Sequence, residues 1–336
     1  MKSNPYNLTM SYLFGGRNGS RPAAVNPTSV ACKELMAAAE SWFPEAHLRP
    51  EAMARLALAG HELLGFDSVM PEYSVHQESA ALGVEMDWGA PDMMPDGKTF
   101  PHADFSEVEV PENILEKPSM SVVLRALEIL RRQVGGRAVV IGKVMGPWTL
   151  SYHMAGTQNF LFAVGRKKHD LVRRMVDSLA PVTVAFANAQ FRAGADVVVV
   201  ADHITGNLVG PYHYRDLLFS VHQMIMKEID GPVILHVCGR TLDRMDMFAR
   251  TGIDVYHFES ANDAAEALKL VDGRISLAGN INNPQVLLEG NPETVRSAVR
   301  SVIETGLKLV APECAVPLST PLANLKALTA AVKEGF

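Results

Sequence analysis

The sequence predicts an α/β fold in one domain over residues 1–336, a (β/α)8 barrel with an excursion of its N-terminal part over the barrel mouth. Three observations lead there. Eight short apolar runs rich in β-branched residues alternate with longer segments of helical period, the pattern of βαβ units around a parallel sheet. A chain of 336 residues, 48% hydrophobic and 20% charged, can bury one large core. No tandem repeat or low-complexity tract interrupts the alternation.

RPAAVNP (21–27) and FDSVMPEY (66–73) are the first two strands, and PEAMARLALAGHELL between them has the apolar spacing of a crossover helix. From about residue 74 to 120 the rhythm breaks. GAPDMMPDGKTFPHADFSEVEVPENILEKP is rich in Pro and acidic residues, yet Met, Phe and Trp88 recur through this interval, so it reads as an ordered excursion rather than a disordered insert. SVVLRALEILRRQV then leads to AVVIGKVMG (138–146), and KKHDLVRRMVDSLAPVTVAFANAQFRAG to ADVVVVAD (195–202). YHYRDLLFSVHQMIMKEI precedes PVILHVCG (232–239), and TLDRMDMFARTG precedes IDVYHFES (253–260). RISLAGNI (274–281) is the seventh run. NPETVRSAVRSVIETG, which ends on the Gly expected past a helix C-terminus, leads to LKLVAPEC (307–314). Eight such units make a TIM barrel, whose chemistry sits at the C-terminal ends of the strands.

A net charge of -6 and the lack of any long Lys/Arg run argue against nucleic acid or an anionic membrane as partner. No apolar run approaches the ~20 residues that span a bilayer. Three cysteines, Cys32, Cys238 and Cys314, make no disulfide framework, and MKSNPYNLTMSYLFGG lacks the basic and apolar regions of a signal peptide. The expectation is a cytoplasmic protein acting on small molecules or protein partners, with a homo-oligomer left open.

The chemistry gathers at strand ends. In VILHVCG, His236 and Cys238 are two apart and share a face of the fifth strand at its C-terminal end. Glu259 ends the sixth run and Cys314 the eighth. Imidazole, two thiolates and a carboxylate converging at one barrel mouth form a tetrahedral set suited to zinc. A buried Cys is otherwise a small hydrophobe, so the placement of all four carries the reading. Asp202 and His203 end the fourth run beside His236, where one of them could orient its ring or take a proton; Asp202 could instead cap a helix. Ser319 or Thr320 as N-cap, with Pro321 at the first helical position, starts a helix after strand eight, either an ordinary capped helix or an anion seat. Asn280, at the end of the seventh run, has a polar-contact or a turn role.

The chain resembles the methylcobamide:coenzyme M methyltransferases of the uroporphyrinogen decarboxylase superfamily along nearly its whole length. The resemblance runs through FPEAHLRPEAMARLALAGHELLGFDSV, GPWTLSYHMAG (146–156), ADHITGNLVGPYHYRDLL (201–218), LHVCG (235–239), LAGNINNPQVLLEGNPETV (277–295) and APECAVPLSTPLANLKAL (311–328). It implies a catalytic zinc held by His236, Cys238 and Cys314, with Glu259 as fourth ligand when no substrate is bound. It further implies transfer of a methyl group from methyl-Co(III) of a corrinoid protein to a zinc-activated thiol, coenzyme M foremost. The sulfonate of that thiol, or the corrinoid phosphate, would dock near Ser319, Thr320 and Asn280. Homocysteine or tetrahydrofolate as acceptor keeps the same zinc chemistry. A metal-free decarboxylase is disfavoured, because the first loop, VNPTSVACKELM, lacks the arginines that bind propionates in that branch. Too few residues follow Cys314 for a corrinoid module, so the corrinoid is expected on a partner.

Overall fold

The structure, a computed structural model, describes residues 4–16 and 19–335. Eight parallel strands, β1 (Ala23–Ala24), β2 (Ser68–Val69), β3 (Val139–Met145), β4 (Val197–Ala201), β5 (Val233–His236), β6 (Val255–Phe258), β7 (Ser276–Ile281) and β8 (Leu309–Pro312), lie in the spatial order β1–β8–β7–β6–β5–β4–β3–β2. Helices surround them, giving the predicted barrel. Each strand falls inside its apolar run, because strands buried on both faces read as continuous apolar stretches whose ends spill into the adjoining turns.

The ends of that order, β1 and β2, are two residues each, too short for a ladder of their own. Side chains close the seam. The Asp67 N–H donates to the Ala24 carbonyl (2.7 Å), the Ala24 N–H donates to the Asp67 carboxylate (2.9 Å), and the Asn26 N–H donates to Ser68 Oγ (3.0 Å). Arg21 grips the same carboxylate with two nitrogens, at 2.7 and 2.8 Å, the fork geometry that suits guanidinium.

Alternate strand residues face inward, and Val139, Ile141, Val197, Val199, Ile234, Val255 and Leu309 fill the lower barrel. The helix Pro5–Leu13, which the sequence analysis did not anticipate, stoppers the bottom with Leu8, Tyr12 and Leu13. Asn4 caps that helix by accepting from the Tyr6 N–H. Two polar ties hold it to the N-terminal ends of strands: Ser276 Oγ donates to the Tyr12 carbonyl (2.7 Å), and the Tyr6 hydroxyl donates to Asp196 (3.1 Å). A second, larger apolar core lies between strands and outer helices.

The excursion is ordered and lies at the mouth. It contains the helix Gln77–Ala81, an antiparallel ribbon of Met86–Asp87 with Asp96–Gly97, and the turn Ile114–Glu116. Ser74, Val75, Met94 and Pro95 border the mouth cavity. No helix among the described residues is long and apolar enough to cross a membrane.

Candidate metal centre at the barrel mouth

Inward alternation continues above the apolar layers, and there the side chains become polar. Lys143 follows Ile141 on β3, His236 follows Ile234 on β5, and His257 follows Val255 on β6, each two residues on and so on the same face. Cys238 comes two residues after His236. Gly239 behind it has φ +74°, and a Cβ there would meet Thr205 Oγ1 at 2.2 Å, so only glycine lets the chain turn away directly behind the thiol.

His236, Cys238 and Cys314 converge, with their ligating atoms within 4.8 Å of one another. His236 Nε2 is 3.2 Å from Cys238 Sγ and 3.7 Å from Cys314 Sγ, and the two sulfurs are 3.4 Å apart. A tetrahedral ion with bonds of ~2.3 Å to sulfur and ~2.0 Å to nitrogen separates its ligand atoms by roughly 3.5–3.8 Å, close to this triangle. The electrostatics agree. The hydrogen bond from Cys238 and the neighbouring His236 hold the Cys314 thiol well below its usual range, while the Cys238 thiol, bonded to that thiolate and buried, is pushed up. The pair thus gives up one proton readily and the second only with difficulty, and a bound cation supplies the charge that favours the second loss.

His257 positions this centre rather than ligating it. Its Nε2–H donates to the Pro312 carbonyl (2.9 Å), tying β6 to the segment that carries Cys314, and its ring packs on His236 with centroids 4.7 Å apart. Burial holds it well below the normal imidazole range, so it stays neutral. Glu259 lies beside Cys238, outside the triangle; burial raises its carboxyl above the usual range. His203 borders the cavity, its ring edge-on to Tyr152 at 6.2 Å.

Four expectations need correction. Asp202 does not orient His236, whose Nδ1 has no partner among the described residues. Its carboxylate caps the helix Pro147–Ala155, accepting from the Thr149 N–H (2.7 Å) and hydroxyl (3.0 Å), and from His222 Nε2 (3.0 Å) on the other oxygen. Gly146 makes room, since a Cβ there would lie 2.2 Å from the Asp202 carboxyl carbon. Asn280 does not border the cavity; its amide donates to the Asn262 carbonyl (3.1 Å), bracing the loop after Glu259. Neither Ser319 nor Thr320 caps the last helix, Leu322–Glu334, whose N-cap is Pro321. The Leu322 N–H donates to Glu34 of the first loop (3.2 Å), so a carboxylate already sits at that helix end, and neither residue borders the cavity.

Sequence reasoning missed a buried charge cluster around Lys143, one of the residues that line the mouth cavity. Glu72, Glu78 and Lys143 are all buried. Lys143 stood in an otherwise apolar run with the inward parity of Val139 and Ile141, which was the available signal. Lys143 Nζ donates to the Ser74 carbonyl (3.0 Å), and Glu78 accepts from the Met145 N–H (2.7 Å). Burial raises Glu72 well above the carboxyl range and Glu78 to about 7, while it lowers Lys143. With its folded value above its unfolded one, Glu78 keeps a proton that the unfolded chain loses, so its contribution to stability declines as pH rises from ~4.5 to ~7. Glu78→Gln keeps an acceptor for Met145 and removes this dependence. Urea unfolding at pH 5 and pH 8 should show the drop in stability reduced by up to about 3 kcal/mol, at ~1.36 kcal/mol per unit; an unchanged drop would exclude Glu78 as its source.

The mouth cavity holds about 380 Å³, and its lining includes Lys143, Tyr73 and Thr28 as well as His236, Cys238 and Cys314. The chain matches the uroporphyrinogen decarboxylase (URO-D) family over residues 7–335. It is 33% identical over 312 residues to a methylcobamide:CoM methyltransferase of Methanosarcina barkeri, covering 92% of each chain. It is 29% identical to the methylated-thiol–coenzyme M methyltransferase of Methanosarcina mazei, over 98% of this chain and 89% of that one. A solved methyltransferase structure from Methanosarcina mazei superimposes with a TM-score of 0.94 at 29% identity, covering 98% of both chains.

Proposed function

The chain belongs to the uroporphyrinogen decarboxylase family, on the side of its methylcobamide:CoM methyltransferases, and from that premise we propose that it moves a methyl group from methyl-Co(III) of a corrinoid protein to the sulfur of a small thiol, coenzyme M. The observation that carries the proposal is the His236, Cys238 and Cys314 triangle facing a cavity sized for a small thiol. At about 380 Å³ the cavity suits a small thiol better than a corrin, so the corrinoid would present its methyl group from the open mouth. Val75, Met94 and Leu208, exposed at the rim, offer apolar surface for that contact.

His236, Cys238 and Cys314 would hold a zinc ion, with Glu259 as the fourth ligand that the acceptor thiol replaces. Bound zinc supplies the acidity that takes a thiol of pKa ~8.5 to its thiolate at neutral pH. The two cysteines, held as thiolates, offset cationic charge and keep the acceptor sulfur electron-rich. Glu259, beside Cys238, carries the same charge as an acceptor thiolate, so the site would keep its net charge with either one. His203, on the cavity wall, is the group to receive the thiol proton, because the Asp202 carboxylate is already committed to Thr149 and His222. The acceptor sulfur then forms the S–C bond with a lone pair, the Co–C bond breaks, and its electron pair leaves with cobalt as Co(I).

Zinc-replete protein mixed anaerobically with free methylcobalamin should bleach the methyl-Co(III) spectrum when coenzyme M is added. X-ray absorption should show one added sulfur ligand on thiol binding. Turnover with homocysteine alone would keep the chemistry and change the acceptor. Protein that binds no zinc and turns over neither thiol would overturn the proposal.

A further inference from the structure

The lining of the mouth cavity carries donors that lack acceptors. Lys143 is 3% exposed, and the one hydrogen bond of its Nζ goes to the Ser74 carbonyl. It makes no ion pair with any carboxylate of the described residues, although Glu72 and Glu78 lie close enough for their charge to act on it. Tyr73 and Thr28, 2% and 5% exposed, border the same cavity, and neither hydroxyl has a hydrogen-bond partner among the described residues. A buried O–H left without an acceptor is costly, and two of them line the same cavity as a buried ammonium. A group that satisfies all three carries negative charge and several acceptor oxygens.

Resting on the proposed thiol methylation, we infer that Lys143, Tyr73 and Thr28 form the seat for the anionic, oxygen-bearing tail of the acceptor, a sulfonate, while its sulfur points at His236, Cys238 and Cys314. The seat selects among thiols. A sulfonate offers oxygens to the ammonium and both hydroxyls. A neutral hydroxyl tail forgoes the charge, and the amino group of a zwitterionic amino-acid thiol meets the Lys143 ammonium as a like charge. Lys143 is here a specificity-determining residue, with no part in bond making.

The test compares 2-mercaptoethanesulfonate with 2-mercaptoethanol as acceptors, with methylcobalamin as donor and zinc-loaded protein. Lys143→Gln should lower the ratio of kcat/KM for the sulfonate thiol to that for the neutral thiol by about 10–100-fold, the loss expected for charge-assisted hydrogen bonds. Tyr73→Phe, which removes a single oxygen and leaves the packing intact, should lower the same ratio about fivefold, chiefly through KM. Calorimetric titration with ethanesulfonate, which has no thiol, gives a readout free of methyl transfer and of metal ligation: wild type binds, and Lys143→Gln binds at least tenfold more weakly. A ratio unchanged in both variants, or no ethanesulfonate binding by wild type, overturns the seat. If neither thiol is methylated but ethanesulfonate binds in a Lys143-dependent way, the seat stands and the methyl-transfer reading falls.

Discussion

Cys238→Ala should purify with less than a tenth of the wild-type zinc and lose methyl transfer to coenzyme M by at least ~1,000-fold. Changes to groups that merely orient a ligand cost about 10–100-fold in metal affinity, and deleting a ligand outright should exceed the top of that range. The sulfur of Cys238 is the shared corner of the triangle, 3.2 Å from His236 Nε2 and 3.4 Å from Cys314 Sγ. Its loss leaves one thiolate and one imidazole, a set that binds zinc weakly without the neighbouring carboxylate. The fold should persist, because the residue sits above the apolar layers and outside the hydrophobic core. Cys32→Ala is the matched control: that thiol is buried in the first loop, outside the cluster, and its replacement should leave zinc content unchanged. Metal content by mass spectrometry and circular dichroism on the same samples decide the matter. A Cys238→Ala protein that keeps one zinc per chain would remove the assignment.

Asp67→Ala should cost about 3–5 kcal/mol of stability, among the largest single-residue effects outside the hydrophobic core. Asp67 is the bolt of the β1–β2 seam. Its carboxylate receives two hydrogen bonds from Arg21 and one from the Ala24 N–H, all at 2.9 Å or less. Truncation strands a half-buried guanidinium and a buried amide at the point where two-residue strands have no ladder to fall back on. Asp67→Asn keeps one acceptor and should lose roughly half as much. Urea unfolding followed by fluorescence measures both, and a loss under ~1 kcal/mol for the alanine variant would mean that the backbone alone closes the barrel.

The barrel was legible because its strands are buried on both faces and therefore read as apolar runs bounded by turns. The converging cluster was legible because period-2 alternation places His236 and Cys238 together, and Cys314 ends its strand at the same end of the barrel. What stayed hidden depended on contacts distant in sequence. The helix Pro147–Ala155 is buried on nearly all sides, so it has no amphipathic period to detect. The helix Pro5–Leu13 is short, and its task as a stopper exists only once the barrel is built. Local capping rules pointed to Ser319 and Thr320, but Glu34, far away in the chain, reached that helix end first. Asp202 does cap a helix, though one that precedes it in sequence and starts behind a glycine just past the neighbouring strand. Lys143 was overlooked because one lysine scarcely dents an apolar run, and its meaning comes from Tyr73 and Thr28 in the same cavity lining.

The stopper at the barrel floor has a kinetic corollary. With the lower end plugged by Leu8, Tyr12 and Leu13, the acceptor enters by the same doorway that a corrinoid partner would cover. Under the proposed methyl transfer, traffic through a single doorway would impose sequence: the acceptor would be seated before the donor arrives, and methylated product would wait until the donor departs. Turnover would then follow a compulsory order with a ternary complex, and a large excess of donor would slow it by sealing the cavity empty.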